Sequence, residues 1–414
     1  MHVLVLDGNE NQAVASVRSL ARAGHRVAVG APTRWSKAGW SRDCARTFMY
    51  PSPELDAAAF VEAVCAEVGR EAGTLVLPMT ERTTLPLSAA RRAVAAAGGR
   101  MVLPSHEAVL HAFDKHETTR LAEKVGIDVP RTILIASTAD ARAADLRYPV
   151  VVKPRHSHEM LHDGHVRSTG APTYARNRDE LLSAWSELER RCCAAVAQEF
   201  VEGTGVGYFA LMREGALRAE FAHQRLRDVR PTGSGSSLRV SAPVDPALRQ
   251  RSLAILKALN WHGAAMVEFR LRHDGTPVFL EVNGRFWNSM ALAVYAGVDF
   301  PALVARLAED GDVEPVLSYR QGVRCRWLLG DARHLIETLR GAPAGFPGPF
   351  PKRLPTIASM LIPVAGTYHD NFTLRDPRPE LGDWLEFIVH RLGARLIGQS
   401  ADKAWHAKRR PSPS

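Results

Sequence analysis

The chain has 414 residues, 46% of them hydrophobic and 23% charged, so it is long enough to bury two or three cores. No run reaches the roughly 18 apolar residues of a membrane-spanning helix, and the N-terminus enters a predicted strand rather than a signal peptide. The net charge of +9 suits acidic substrates, and no stripe of basic and aromatic residues indicates nucleic-acid binding.

The first hundred residues alternate between predicted strands and helices. Strands are expected at 2–6, 25–29 and 74–77, with a helix that ends near Gly24. This alternation predicts a small doubly wound parallel sheet. Asp7 and Asn9 follow the first strand, at the edge where such sheets bind ligands, and a packing or capping role for both residues is the alternative. Only one glycine of a dinucleotide-binding fingerprint is present there.

Residues 112–126 predict an amphipathic helix closed by Gly126, and residues 148–154 a buried strand rich in valine. Lys153 ends that strand. A lysine in this position either extends to the surface or meets a buried anion, and residue type alone favours the surface.

Four histidines follow in a polar stretch that contains glycine. Their spacing matches no common metal-ligand pattern, so solvated side chains are the alternative to a transition-metal site. These residues are His156, His158, His162 and His165.

Residues 194–203 predict a strand that runs into a bend at Gly203, where a backbone edge could bind a purine. Further on, Arg225 and Arg227 alternate on one strand face, and a Gly/Ser segment leads to Arg239. We expect Arg225 and Arg239 near an anionic substrate; an exposed strand with solvated arginines is the alternative.

Residues 264–285 predict a β-hairpin with its turn at Asp274–Gly275. The hairpin places Glu268 and Glu281 on neighbouring antiparallel strands, with Asn283 close behind. Carboxylate and amide oxygens are suitable ligands for Mg²⁺. Arg285 adds a fixed cation, and a solvent-facing hairpin with a simple turn is the alternative.

The order of these motifs resembles the ATP-grasp superfamily of carboxylate–amine ligases and its carbamoyl-phosphate-synthase and biotin-carboxylase-like relatives. The motifs that carry the resemblance are Asp114-Lys115, Val-Val-Lys153-Pro, Gln198-Glu199-Phe200-Val201-Glu202-Gly, Glu268 and Glu281-Val-Asn283-Gly-Arg285. The resemblance covers residues 1 to about 310. It implies an α/β ATP-grasp fold, in which a Rossmann-like parallel sheet precedes a two-lobed α+β nucleotide clamp and a C-terminal extension follows.

The resemblance also implies the cofactors ATP and Mg²⁺ (or Mn²⁺) and a role for each motif. Nucleotide contacts fall to Lys115, Lys153, Gln198, Glu199, Phe200, Val201 and Glu202; metal contacts fall to Glu268, Glu281 and Asn283; Arg285 and Lys153 are the catalytic residues. The histidine stretch becomes a loop over the phosphates. The N-terminal domain becomes one wall of the acceptor site, so Asn9, Glu81 and Arg82 join Arg225 and Arg239 as expected substrate neighbours.

One departure concerns the ribose of the nucleotide. Many members carry an acidic residue several positions past the hinge, where this chain has Thr204 to Tyr208. Glu202 is the remaining candidate for that contact.

The predicted domains are an N-terminal domain at 1–105, an ATP-grasp domain at 106–317 with its small lobe at about 130–200, and a C-terminal extension at 318–414. The extension contains a helix at 381–397 and a basic end. Packing onto the catalytic core is the expected role of that helix, and a membrane surface or a partner is the alternative.

The implied function is an ATP-dependent ligase that joins a small carboxylate, such as an amino acid, to an amine through an acyl phosphate. A bicarbonate-activating enzyme and a non-catalytic ATP-binding subunit are the alternatives. The expected partners are these small molecules, without nucleic acid, and a homodimer stays open. Five cysteines in no catalytic setting fit the reducing cytoplasm.

Overall fold

The computed structural model describes residues 1–161, 165–343, 346–361 and 365–396. Its N-terminal part is a four-stranded parallel sheet with the strand order β3-β2-β1-β4. The strands are β1 (His2–Val5), β2 (Arg26–Ala31), β3 (Arg46–Met49) and β4 (Leu75–Leu77). The helices around it are α1 (Asn11–Arg22), α2 (Ala57–Val68), α3 (Glu81–Ala89) and α4 (Arg91–Ala96), with a short 3-10 helix at Ala38–Trp40. The predicted parallel sheet is confirmed.

Two helices connect this sheet to the next lobe, α5 (His106–Phe113) and α6 (Lys115–Lys124). The sequence predicted one helix over 112–126, and the structure divides it at Asp114. The Asp114 carboxylate accepts hydrogen bonds from the backbone N–H groups of His116 and Glu117, so it caps a new helix instead of continuing the old one. Lys115 therefore lies in the first turn of α6.

The small lobe is built on an antiparallel sheet with the strand order β5-β10-β6-β9. Its elements are β5 (Thr132–Ile135), α7 (Thr138–Ala143), β6 (Val150–Pro154), β9 (Thr173–Ala175), α8 (Arg178–Leu188) and β10 (Ala195–Glu199). A separate hairpin, β7 (His158–Met160) with β8 (Val166–Ser168), extends from it. Trp185 and Val152 belong to a core of the small lobe itself.

The large lobe is a seven-stranded sheet with the strand order β15-β14-β11-β12-β13-β16-β17. Its first strands and helices are β11 (Thr204–Arg213), β12 (Ala216–Arg230), β13 (Ser234–Ser241), α9 (Pro246–Ala258), β14 (Gly263–Leu271), β15 (Pro277–Asn283), α10 (Met290–Ala296) and α11 (Phe300–Asp310). Val14 and Val17 of α1 share one core with Leu292 and Leu303. The N-terminal domain is thus joined to the large lobe, while the small lobe has its own core.

Residues after 318 complete the large lobe instead of forming a separate unit. Their elements are β16 (Arg324–Arg326), α12 (Leu328–Arg340), α13 (Arg353–Leu361), β17 (Thr367–His369) and α14 (Arg378–Leu396). Strand β16 pairs with β13 and carries β17 on its other edge. Helix α14 lies against the 3-10 helix of the N-terminal domain. The described part of the predicted extension therefore packs onto the core.

In the described ranges, no single helix has the length and apolar character to cross a bilayer. Helices α10 and α11 reach that length and apolar character only as a bent pair. Both helices contribute buried side chains to the core shared with α1.

Candidate active site

A cavity of about 410 Å³ opens between the small-lobe sheet and the large sheet. The charged residues that line it are Lys115, Lys153, Glu199, Arg225, Glu268, Arg270, Glu281 and Arg285. Cations outnumber carboxylates in this set, although the cavity has a strongly acidic spot where two sheet carboxylates meet. A polyanion with an accompanying cation fits such a distribution.

The acidic spot comes from the β14–β15 hairpin, whose predicted pairing is confirmed. Glu268 and Glu281 are direct partners in the antiparallel register, and a bulge follows immediately after Glu268. Asn283 donates a hydrogen bond to Glu281 Oε1 at 3.1 Å, and Arg285 donates one to Asn283 Oδ1 at 3.1 Å. The motif is therefore one connected set of side chains at the end of β15.

Arg225 reaches the same spot from β12. Its guanidinium lies 2.8 Å from Glu268 Oε1. Burial alone would lower the pKa of Arg225, but Glu268 and Asp228 raise it above the ordinary value. The prediction that Arg225 faces a binding site agrees with this position; its partner in the structure is a carboxylate.

Lys153 lies at the end of β6, and its side chain turns into the cavity. It is 8% exposed, so the surface position favoured by residue type is wrong. Its Nζ donates to Gln198 Oε1 at 3.1 Å, and Gln198 Nε2 donates to Thr132 Oγ1 at 3.0 Å. Burial lowers the pKa of Lys153 to about 8, against the raising effect of Glu281. The Lys153 side chain is therefore positioned to bind an anion inside the cavity.

Lys115, in the first turn of α6, also lines the cavity. Its Nζ donates to Ser157 Oγ at 2.8 Å, and its backbone N–H donates to the carbonyl of Arg155. Ser157 precedes the β7–β8 hairpin, the segment expected to close over phosphates. His158 lies on that hairpin, and His162 is outside the described residues. In the described ranges no three His, Cys, Asp or Glu side chains group together as metal ligands.

The bend after β10 forms the back of the cavity. Phe200 and Val201 line it, whereas Glu202 is exposed and lines a groove on the other side of the bend. The Glu199 carboxylate accepts from the backbone N–H of Arg147 at 3.0 Å and from its guanidinium at 2.9 Å. Only the backbone of Glu199 is thus left for a ligand.

Arg239 does not reach the cavity, and this differs from the prediction. Its side chain is fully buried and forms an ion pair with the equally buried Asp370. A second bond joins its guanidinium to the carbonyl of Ser236 at 2.8 Å. Arg225 and Arg239 are direct partners across β12 and β13, but Arg239 lies one strand farther from the carboxylate hairpin, next to β16, and pairs there with Asp370 just after β17.

The three expected substrate neighbours of the N-terminal domain lie outside the cavity lining. Asn9 Oδ1 accepts from the backbone N–H of Lys37 at 3.2 Å, and Arg82 lies 3.5 Å from the buried Asp7. Asn9 and Asp7 thus have the packing role that was the alternative for this strand end, and Arg82 pairs with Asp7.

Glu81, in the first turn of α3, lies 3.7 Å from His158 of the hairpin. Burial alone would raise the pKa of the Glu81 carboxyl, but its hydrogen bond with His158 and the nearby charged groups lower it to about 2. Lys115 and Arg285 contribute to that lowering. Glu81 is therefore close enough to the cavity cations for their charge to affect its pKa.

Sequence reasoning missed His223 and Ser289, which line the far end of the cavity. His223 Nε2 and Ser289 Oγ are 2.8 Å apart, and both residues are buried. Burial and the charge of Arg225 hold the pKa of His223 well below its ordinary value, so the ring is neutral. His223 precedes Arg225 by two positions in one strand, and that alternation could have identified it.

Asn288 also lines this end of the cavity, and it connects the site to the N-terminal domain. Asn11 of α1 donates to Asn288 Oδ1 at 3.1 Å, and Lys37 donates to Asn11 Oδ1 at 2.5 Å. Residues separated by 277 positions in the chain thus form one wall.

Comparison with known proteins gives matches of three kinds. A family model described as "ATP-grasp in the biosynthetic pathway with Ter operon" matches residues 211–330, the segment that carries Arg225 and the carboxylate pair. The D-alanine–D-alanine ligase of Nitrosospira multiformis is 30% identical over 216 residues, which cover 47% of this chain and 66% of that protein. The chain thus spans just under two thirds of that relative's length.

Two solved structures give the same fold at lower identity. The L-amino acid ligase from Bacillus licheniformis superposes with a TM-score of 0.56 at 18% identity, covering 74% of this chain and 73% of that one. The biotin carboxylase domain of Hydrogenobacter thermophilus 2-oxoglutarate carboxylase, solved with MgADP and bicarbonate, gives a TM-score of 0.61 at 15% identity, covering 78% and 73%.

Proposed function

We propose that this chain is an ATP-dependent ligase of the ATP-grasp superfamily and joins a small carboxylate to an amine. A carboxylate does not condense with an amine at neutral pH, so the γ-phosphoryl group of ATP must first be transferred to it. The observation that carries the proposal is the Glu268–Glu281 pair, which shares the cavity between the lobes with Lys153.

The nucleotide is proposed to lie along the bend after β10. The aromatic and aliphatic side chains of Phe200 and Val201 supply an apolar surface for the base, and the backbone there supplies hydrogen bonds. Lys153 and Lys115 approach the phosphates from β6 and α6. Since a phosphoryl group in transfer spreads negative charge over its oxygens, two lysines stabilise it mainly by position and charge.

Glu268, Glu281 and Asn283 fit Mg²⁺ or Mn²⁺, because the set offers only hard oxygen ligands from one sheet edge. The bound cation would neutralise phosphate charge during transfer. The hairpin register fixes how the two carboxylates face each other, and the hydrogen bond from Asn283 restrains Glu281. Phosphate oxygens and waters would complete the coordination.

The chemical steps follow from where the cations lie. A carboxylate oxygen of the substrate attacks the γ-phosphorus, the bond to the bridging oxygen breaks, and ADP leaves with an acyl phosphate formed. An amine nitrogen then attacks the acyl carbon, phosphate leaves, and the amine loses a proton. Arg285, whose fork also bonds the carbonyl of Phe286 at 3.0 Å, is placed to hold the acyl phosphate.

Amino acids are proposed as the first substrates to test, since two of the similar proteins are ligases of amino acids by name. A cytoplasmic location is part of the proposal. All five cysteines are free in the structure, which suits a reducing compartment, and ATP is abundant there.

The test is release of ADP and phosphate from purified protein with Mg²⁺-ATP, against amino acids and small carboxylates given singly and in pairs. Stimulation by one pair, with a product mass equal to their sum minus water, would support the ligase. Stimulation by bicarbonate would support the bicarbonate-activating alternative instead. Calorimetric ATP binding without ADP release under any mixture would favour a non-catalytic subunit.

A further inference from the structure

Helix α14 is amphipathic in the opposite sense to a packed surface helix: its acidic side chains point inward and its aliphatic ones outward. Glu380 and Asp383 are 7% and 4% exposed. The outward stripe has helical spacing and is formed by Leu381 (56% exposed), Leu385 (42%), Ile388 (45%) and Val389 (66%). Exposed apolar stripes of this kind mark surfaces that bind something.

The inward polar face is firmly held, so this orientation is not an accident of a loose helix. Asp383 accepts from Lys37 Nζ at 2.9 Å, from Trp327 Nε1 at 2.6 Å and from Asn371 Nδ2 at 2.9 Å. Lys37 and Asp383 are both buried. Rotating the helix to bury the leucines would leave Lys37 as an unpaired buried charge, which is strongly unfavourable.

Two further exposed apolar side chains lie near the start of α14. A side chain at Gly382 would come within 3.5 Å of Trp40, so α14 lies directly on that ring. Trp35 packs edge-on against Trp40 at 5.7 Å and is itself 65% exposed. Leu374, just before the helix, is 93% exposed. We call the stripe together with Trp35 and Leu374 the α14 surface.

Exposed arginines lie beside Trp35 and at the start of α14. Arg34 lies 5.9 Å from the Trp35 ring centre, and Arg42 donates to the carbonyl of Arg375 at 3.3 Å. Arg375 and Arg378 flank the start of the helix, and all four arginines are exposed.

We propose that the α14 surface binds the interface of a bilayer that contains anionic phospholipids. Leucine, isoleucine and tryptophan side chains enter the boundary between head groups and acyl chains, and a rim of arginine is attracted to anionic head groups. The charge argues against a second copy of this chain as the occupant, since two such surfaces would bring eight arginines into one interface. This inference rests on the surface alone and is independent of the ligase proposal.

The experiment is sedimentation of the full chain with vesicles of phosphatidylcholine and phosphatidylglycerol (3:1), compared with pure phosphatidylcholine, at physiological salt. Wild-type protein is expected to bind the anionic vesicles at least tenfold more tightly. Any protein of net charge +9 is attracted to such vesicles, so the decisive variant changes apolarity and leaves charge constant.

That variant is Leu385→Gln with Ile388→Gln. The matched control is Leu317→Gln with Leu339→Gln, two leucines that are 45% exposed elsewhere. The first pair is expected to weaken vesicle binding at least tenfold and the control to leave it unchanged, with the thermal midpoint of unfolding kept in both. Equal vesicle binding by both double variants would overturn the proposal. A wild-type dimer that the first pair dissociates, without vesicle binding, would assign the surface to a second copy instead.

Discussion

The guanidinium of Arg225 lies 2.8 Å from Glu268, the carboxylate that faces Glu281 across the hairpin. A fixed cation thus shares a carboxylate with the proposed metal. Both partners are largely buried, with side-chain exposures of 10% and 16%, so their interaction is little screened by water. Arg225 and a bound divalent ion would therefore compete for the Glu268 carboxylate.

We predict that Arg225→Gln tightens the binding of Mg²⁺ and weakens the binding of the anionic substrate. Removal of the guanidinium frees Glu268 for the metal, so the Mg²⁺ concentration for half-maximal turnover should fall several-fold. The KM of the carboxylate substrate should rise about tenfold or more, because a charge-assisted hydrogen bond is lost. Steady-state kinetics over Mg²⁺ and substrate measure both.

The matched control for this variant is Arg230→Gln, an exposed arginine at the end of the same strand. It should leave both constants unchanged. If Arg225→Gln raised the Mg²⁺ requirement instead, Arg225 would be supporting the metal site and not competing with it.

We predict that Glu281→Gln lowers Mg²⁺-dependent turnover at least a hundredfold without unfolding the protein. The amide keeps the size of the side chain and removes the negative charge that a hard cation needs. The control is Glu337→Gln, whose carboxylate pairs with Arg340 on the surface of α12. Wild-type activity in Glu281→Gln would show that the metal assignment is wrong.

The two variants test the part of the site that sequence alone could predict. Counting outward from a turn at Asp274–Gly275 pairs Glu268 with Glu281, and the structure reaches the same pairing through a longer loop, from Leu271 to Pro277, and a bulge after Glu268. Lys153 could be placed at a strand end, but not inward, because the direction of its side chain depends on Gln198 of a different strand. The local sequence pattern predicts the strand. Whether the side chain at its end is buried depends on the elements that pack against that strand.

Long-range contacts account for the errors. Arg239 is paired with Asp370, 131 positions later, and no periodicity connects the two. Arg239 lies directly opposite Arg225, but on β13, one strand nearer to β16 and β17, and its ion-pair partner follows β17. Strands β16 and β17 are three residues each, too short for an alternation to be read.

We predict that kcat/KM for ATP falls as pH rises above about 8. The pKa of Lys153 is lowered by burial to about 8, so its ammonium is present below that pH and lost above it. Only the charged form attracts a phosphate, and kcat/KM reports groups of the free enzyme. A pH profile at saturating Mg²⁺ measures the break.

Lys153→Arg separates this titration from other groups. A guanidinium stays charged at every accessible pH, so the variant should lose the break near pH 8 even if its overall rate is lower. A break that persists in Lys153→Arg would assign the titration to another residue.

We predict that Arg239→Leu costs about 3–5 kcal/mol of unfolding free energy, because it leaves Asp370 as an unpaired buried charge. Denaturant unfolding measures the loss. Arg340→Leu removes a half-exposed ion pair and should cost about 1 kcal/mol or less. A small effect of Arg239→Leu would mean that water reaches Asp370 once the arginine is gone.

Phosphoryl transfer to the carboxylate is proposed to precede amide formation. The decisive experiment supplies the carboxylate substrate with oxygen-18 in both carboxyl oxygens and analyses the released phosphate by mass spectrometry. An acyl phosphate leaves one labelled oxygen in each phosphate, since the bond formed to phosphorus uses a substrate oxygen. Phosphate without label, released together with the joined product, would contradict the account.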